Sequence, residues 1–247
     1  MANVLLSAKG IKIHFGGVIA ADGIDLDVHE GENLAIIGPN GAGKTTFLNI
    51  STGYLRPQAG SVTFLGHDIT AQLPRTITRL GIARAFQIPQ LFLDQTVMEN
   101  MLIAAASLQG RPSGLTALAS LPQAPEMERL LDLVGVRQYA ERKARVLPEG
   151  QRKLVDIALA LALKPKLLLM DEPTSGVASS EKLGIMDILT HALAKENVTS
   201  VFVEHDMDMV ERYASRVAVW NMGKIQKVGT PAEVLADPNV REQVIGI

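Results

Sequence analysis

The stretch Gly38-Pro39-Asn40-Gly41-Ala42-Gly43-Lys44-Thr45 follows the apolar run Leu34-Ala35-Ile36-Ile37 and opens a helix-forming segment from Lys44 to Thr52. No other feature of the chain restricts its fold so tightly. The stretch fits G-x-x-x-x-G-K-[ST], a pattern that requires a strand before it and a helix after it. Glycines let the backbone curl so that several N–H groups point at phosphate oxygens, and the helix adds the positive end of its dipole. A turn that merely caps a helix would also favour glycine; the flanking strand and helix set this one apart. Lys44 would reach the β- and γ-phosphates of a nucleotide. The Thr45 hydroxyl would face Mg2+, whose remaining shell would be phosphate and water oxygens. Thr46 is grouped with Gly38 to Thr45 as the nucleotide contact set.

Elsewhere, short apolar runs alternate with helix-period segments, the pattern of a mainly parallel sheet covered by helices, so the fold class is α/β. Leu167 to Met170 and Ser200 to Val203 read as further buried strands. Between them, Glu181 to Glu196 carries Leu183, Met186, Leu189 and Leu193 at three- and four-residue steps, which predicts a helix with one buried face and hence a β-α-β crossover. Strand candidates at Val4 to Phe15, Ile24 to Val28 and Ser61 to Leu65, separated by glycine turns, add β material at the front of the chain. Arg216 to Asn221 and Lys224 to Val228 around Met222-Gly223 predict a hairpin followed by a short helical tail. Residues 88–165 are helix-rich and punctuated by Gly110 to Gly114 and Leu121 to Pro125, which predicts a helical lobe inserted into the sheet domain. The expected organisation is a nucleotide-binding α/β core over 1–87 and 166–247, including an antiparallel β part, with the helical lobe over 88–165.

The run Leu167 to Met170 ends in Asp171-Glu172. Parallel strands present ligand-facing residues at their carboxyl ends, the edge where the phosphate loop also sits. Asp171 is therefore expected to hold the Mg2+ shell through water, and Glu172 to orient or deprotonate an attacking water. An apolar run ending in two acids is commonly just a strand leaving the core; the phosphate loop gives this pair its chemical reading.

Bulk properties narrow the alternatives. With 24 basic against 26 acidic residues the net charge is −2, which supplies no dominant attraction to nucleic acid, and no nucleic-acid partner is expected. The chain has no cysteine, so disulfides and thiolate metal sites are excluded and the cytoplasm is the default compartment. The first residues lack a basic segment followed by an apolar run of about 7–15 residues, and do not read as a secretory signal. The longest apolar stretches, Ile157 to Leu163 and Leu167 to Met170, are far shorter than the roughly 18–20 residues a membrane span needs. Any membrane role would come through partners.

With these motifs in this order, the chain resembles the ABC transporter ATPase family over nearly its full length. The resemblance implies a P-loop NTPase of ABC ATPase type that binds ATP with Mg2+ and hydrolyses it. Phe15 matches the aromatic that stacks on adenine. Gln87, in Ala85-Phe86-Gln87, matches the glutamine at the joint between the lobes that touches Mg2+ or water. His205, in Val203-Glu204-His205-Asp206, matches the switch histidine that contacts the γ-phosphate.

Two segments depart from the family pattern. Leu147-Pro148-Glu149-Gly150-Gln151 stands where the family carries Leu-Ser-Gly-Gly-Gln, whose following helix covers the γ-phosphate on the opposite subunit; Arg152 to Leu163 supplies that helix. Proline is tolerated near a helix start but brings no serine hydroxyl. Glu149 puts a carboxylate near the expected triphosphate, where two anions repel by about 1 kcal/mol in water and several at an effective dielectric near 20. Glu149 is thus expected to point away, to pair with a cation, or to weaken closure. In Ser175-Gly176-Val177-Ala178, Ala178 replaces the family's aspartate, which implies altered communication between two sites.

Within the family the chain is most similar to the ATPase subunits of branched-chain amino-acid importers, through Phe15-Gly16-Gly17-Val18, Val203 to Val210 and Gly229 to Val234. That likeness implies a homodimer, or a heterodimer with a related ATPase subunit, seated on transmembrane permeases at the cytoplasmic face of the inner membrane. The apolar Ile88 to Phe92 region would be the seat of a permease coupling helix. A soluble ABC ATPase of DNA repair or translation would usually bring a second cassette or a long coiled coil. A regulatory module that holds ATP without turnover would suit Pro148, Glu149 and Ala178 but not Glu172 and His205. A GTPase would need an Asn-Lys-x-Asp segment, which is absent.

Overall fold

The computed structural model describes residues 3–108 and 122–242; the Gly110 to Gly114 stretch and Leu121 lie outside them. Strands β1 (Val4–Phe15) and β2 (Val18–His29) pair antiparallel. β1 also pairs with β4 (Ala59–Phe64) and β4 with the short β5 (His67–Asp68), giving an antiparallel sheet of order β2-β1-β4-β5. The sequence pattern begins the second strand only at Ile24. It starts at Val18 because β1 and β2 stay paired through register shifts between Ile11 and Lys12 and between Ile13 and His14, opposite a stretch, Ala20 to Gly23, that has no strand-like alternation of its own.

The second sheet contains β3 (Asn33–Ile37), β6 (Ile82–Ala85), β7 (Leu167–Asp171), β8 (Thr199–Val203), β9 (Arg216–Asn221) and β10 (Lys224–Gly229), in the order β10-β9-β3-β8-β7-β6. Every neighbouring pair is parallel except the β9–β10 hairpin. That hairpin turns at Met222 (φ 47°) and Gly223 (φ 72°), the two left-handed residues a tight primed turn requires. The sequence pattern gives no sign of β6, since four residues interrupted by Arg84 make no apolar run.

Side-chain alternation shows why the central strands read as continuously apolar. Ala35 and Ile37 of β3, Leu168 and Met170 of β7, and Phe202 of β8 face one core; Leu34, Ile36, Leu167, Leu169, Val201 and Val203 face another. A parallel strand covered on both faces has no polar side to show. The first core is closed by helices α3 (Val97–Leu108), α4 (Ala124–Leu133), α5 (Glu149–Ala162) and α6 (Ser179–Lys195); the second by the antiparallel sheet, α1 (Lys44–Ser51) and α2 (Pro74–Leu80). Each fully buried leucine in these layers stabilises the fold by about 1.5–3 kcal/mol.

The crossover β7-α6-β8 forms as expected, with one correction. The buried stripe of α6 is Ile185, Met186, Leu189, Ala192 and Leu193, whereas Leu183 is 40% exposed. Each three-residue step falls about 60° short of a full turn, so two successive steps carry Leu183 off the stripe. The carboxyl ends of β3, β8, β7 and β6, adjacent in the sheet, converge at one edge.

Candidate functional site

At that edge the chain passes from β3 into the phosphate loop. Gly38 (φ 155°) and Gly43 (φ 106°) admit no side chain: a Cβ would fall 1.9 Å from the Trp220 carbonyl oxygen in one case and 1.9 Å from that of Ala20 in the other. Gly43 is the left-handed N-cap of α1, with no side-chain cap and no acidic residue in the first turn. The opening N–H groups of that helix are therefore not claimed by a side chain, as an anion site requires. Trp220, the single tryptophan, is fully buried beneath the loop with its ring 5.2 Å from that of Phe47.

Lys44 is only 6% exposed, and its ammonium donates to the carbonyls of Gly38 (2.7 Å) and Pro39 (2.8 Å). Burial pulls its pKa below the ordinary lysine value, opposed by the negative charges of Glu172 and Asp171. These bonds park the ammonium on the loop it would share with a phosphate.

Thr45 Oγ1 donates to Asp171 Oδ1 at 3.3 Å. A hydroxyl and a carboxylate are the hard oxygen donors Mg2+ takes. Among the described residues no cluster of three or more His, Cys, Asp or Glu makes a protein cage. The donor set fits an ion that draws most of its shell from phosphates and water.

Glu172 holds a left-handed backbone (φ 49°), uncommon for a residue with a side chain and tolerated where surroundings over-determine it. Its N–H donates to Val203 O (3.0 Å) and its carbonyl accepts from Lys153 Nζ (3.3 Å). Its carboxylate accepts from Gln87 Nε2 at 2.6 Å, and its other oxygen lies 3.2 Å from His205 Nε2. The structure thus brings Gln87, Glu172 and His205 together. Glu204, buried behind them, accepts from the backbone N–H and hydroxyl of Thr174 and from the N–H of His205.

An open cleft of about 220 Å³ runs over the loop, walled by Phe15, Val18, Ala20, residues 40–46, Glu172 and His205. Phe15 is 47% exposed beside Val18, leaving an apolar face for a flat ring. Asp171 and Gln87 do not line the cleft but bond residues that do, Thr45 and Glu172. Pro148, Glu149, Gly150 and Gln151 do not line it. They start α5, with Pro148 as its N-cap, one turn earlier than the Arg152 start read from the sequence. Glu149 turns back on its own chain, over Gly176, and its charge bears on Lys153. Ala178 is the N-cap of α6 and makes no side-chain cap bond. An aspartate there would be worth about 1 kcal/mol of helix stability.

Several site residues escaped the sequence reading. Lys153 is buried, donates to Gln87 O (2.9 Å) as well as to Glu172 O, and so ties α5 to both. Burial lowers its pKa. Asp156, also buried, accepts from the backbone N–H groups of Phe86 (3.2 Å) and Gln90 (3.3 Å). The signal was available: Gly150, Lys153, Leu154, Ile157 and Leu161 share one helical face, and a charge inside an apolar stripe asks for a partner.

Comparison with known proteins agrees with this geometry. The family model described as ABC transporter matches residues 21–175. The high-affinity branched-chain amino acid transport ATP-binding protein BraF of Pseudomonas aeruginosa is 32% identical over 100% of this chain and 99% of its own length. LivG of Escherichia coli, which carries the same description, is 32% identical over 100% and 99%. A solved ATP-binding cassette of an ABC transporter in its ADP conformation superposes with TM-score 0.84 at 34% identity, covering 99% of this chain and 100% of that one.

Proposed function

This chain belongs to the ABC transporter family of ATP-binding proteins, and on that premise we propose that it is the ATP-hydrolysing subunit of an importer for branched-chain or other amino acids, acting through separate permease subunits. What carries the reading is the convergence at one sheet edge of a lysine-bearing phosphate loop with a carboxylate held between an amide and an imidazole. ATP would lie in the cleft with its base on Phe15 and its phosphates on the N–H groups of residues 38–46 and on Lys44. Mg2+, held by Thr45, Asp171 and Gln87, would neutralise charge on the phosphates when bound. Glu172 is positioned to take a proton from, or orient, a water in line with the terminal phosphate, and His205 to donate to that phosphate.

The same reading makes the protein a dimer in which the start of α5, Pro148 to Gln151, covers the nucleotide held by the other subunit. Within 88–165, the described helices α3, α4 and α5 would make up its helical lobe. A groove of about 180 Å³, walled by residues such as Arg84, Phe86, Gln90, Phe92 and Leu163, suits a helix of a permease. Ile88, Phe92 and Leu93 are exposed around it. No helix among the described residues is long and apolar enough to cross a membrane; attachment to the cytoplasmic face would come through the permeases. Glu149 and Ala178 favour a heterodimer with unequal sites as a second arrangement.

Steady-state ATP hydrolysis by the purified chain, alone and with co-purified permeases, tests the proposal. Turnover stimulated by the permeases is expected. ATP binding with no turnover in either setting would make the chain a regulatory module instead.

A further inference from the structure

Arg84 and Asp171 form an ion pair between the edge strand β6 and the end of β7. Arg84 Nη2 lies 3.0 Å from Asp171 Oδ2, and each side chain is only 7% exposed. The guanidinium also donates through Nη1 to Asn49 Oδ1 on α1 and stands over the Phe86 ring, 4.8 Å from its centroid, while Nε is buried with no partner among the described residues. Stability does not account for this arrangement. Desolvating both charges offsets much of their attraction, and an apolar pair of similar volume often does as well.

The pair does divide the work of one carboxylate. Oδ2 goes to the guanidinium, leaving Oδ1 turned to the Thr45 hydroxyl. It also sets cations against the carboxylates: Arg84 pairs with Asp171, and Lys44 feels both Asp171 and Glu172, so a dication is drawn to this edge less strongly without a triphosphate than with one.

We propose that Arg84 is a positioning residue that aims Asp171 at Thr45 and, by cancelling its charge, makes divalent-cation binding depend on bound nucleotide. The inference rests on the ATPase reading above. Removing the Arg84 charge takes away the cation paired directly with Asp171 and leaves only Lys44 against the two carboxylates, so the site should accept a dication without nucleotide.

The test uses the full chain with Mn2+ as probe, free Mn2+ being read by electron paramagnetic resonance with and without ATP. Wild type is expected to bind Mn2+ with ATP and only weakly without it. R84M, which keeps an apolar side chain on the groove wall, should bind Mn2+ about tenfold more tightly in the absence of nucleotide. R84K, which keeps the charge, should stay within about twofold of wild type. A purely structural role would lower the melting temperature or weaken binding; it would not tighten it. An R84M protein with wild-type melting and metal-free ATP affinity but no gain in Mn2+ affinity overturns the proposal, and R84Q makes the same comparison if R84M does not fold. Failure of wild type to bind Mn2+ even with ATP would overturn the metal reading itself.

Discussion

The Glu149 carboxylate rests on Gly176: a Cβ at that position would fall 2.3 Å from Oε1, and the glycine holds φ at 77°. The start of α5 and the segment after the acidic pair are therefore fitted to each other within one chain. An ATP-driven dimer would still bring this charge toward a triphosphate. Glu149→Gln should leave the exposed position's stability within about 0.5 kcal/mol of wild type. It should tighten ATP-dependent dimerisation about tenfold, by removing a repulsion of order 1 kcal/mol or more. Sedimentation with ATP in a Glu172→Gln background reads this directly; an unchanged dimer constant would mean that Glu149 never faces the nucleotide.

Glu172 is gripped by Gln87, His205 and Lys153. Glu172→Gln preserves the shape of that set and removes only the base. Phosphate release should fall by about 10²–10⁴-fold while ATP affinity stays near wild type, and an ATP-bound dimer should accumulate on size exclusion. Full turnover by the variant would take Glu172 out of its role.

Lys44→Ala removes an ammonium that bonds two loop carbonyls and faces the expected phosphates. The loss of a buried, hydrogen-bonded charge costs about 2–5 kcal/mol, so ATP affinity should drop by thirtyfold or more. Trp220, alone of its kind and directly under the loop, provides the fluorescence signal. Wild-type affinity in the variant would refute the phosphate-loop assignment.

Asp156 carries a stability signature in pH. Burial pushes its carboxyl pKa up to about 6, against the N–H groups of Phe86 and Gln90 and the charge of Lys153, which pull the other way. The folded state thus holds the proton more tightly than the unfolded chain, whose value is near 3.8. This contribution is fully present below about pH 4 and is lost as pH rises through about 6. It amounts to at most about 3 kcal/mol. Asp156→Asn is neutral throughout, so wild type should lose stability relative to the variant between pH 4 and 7.5 in urea unfolding. A flat difference would mean that the carboxyl is not desolvated.

Much of the site was legible because its strongest features are contiguous. Phe15, residues 38–46, Asp171 and His205 each follow or precede a recognisable strand, and the loop glycines occur where the backbone passes too close to Trp220 and Ala20 for any side chain. The groups that hold the chemistry in place were not legible. Lys153 and Asp156 look like interruptions of an amphipathic helix, and Arg84 like the failure of a strand, until the sheet places them beside their partners.

By itself the sequence determined the α/β class, the phosphate loop and the acidic pair, since period, glycine placement and strand-end residues are properties of short stretches of chain. Only the tertiary structure decided that Gln87 and Lys153 meet Glu172, that Arg84 claims Asp171, and that Glu149 turns toward Gly176. Those contacts join residues on or just past β6 and β7, on α5 and in the segment before α6, which are distant along the chain. They exist because parallel pairing of β6 with β7, and of β7 with β8, brings separate strand ends to one edge.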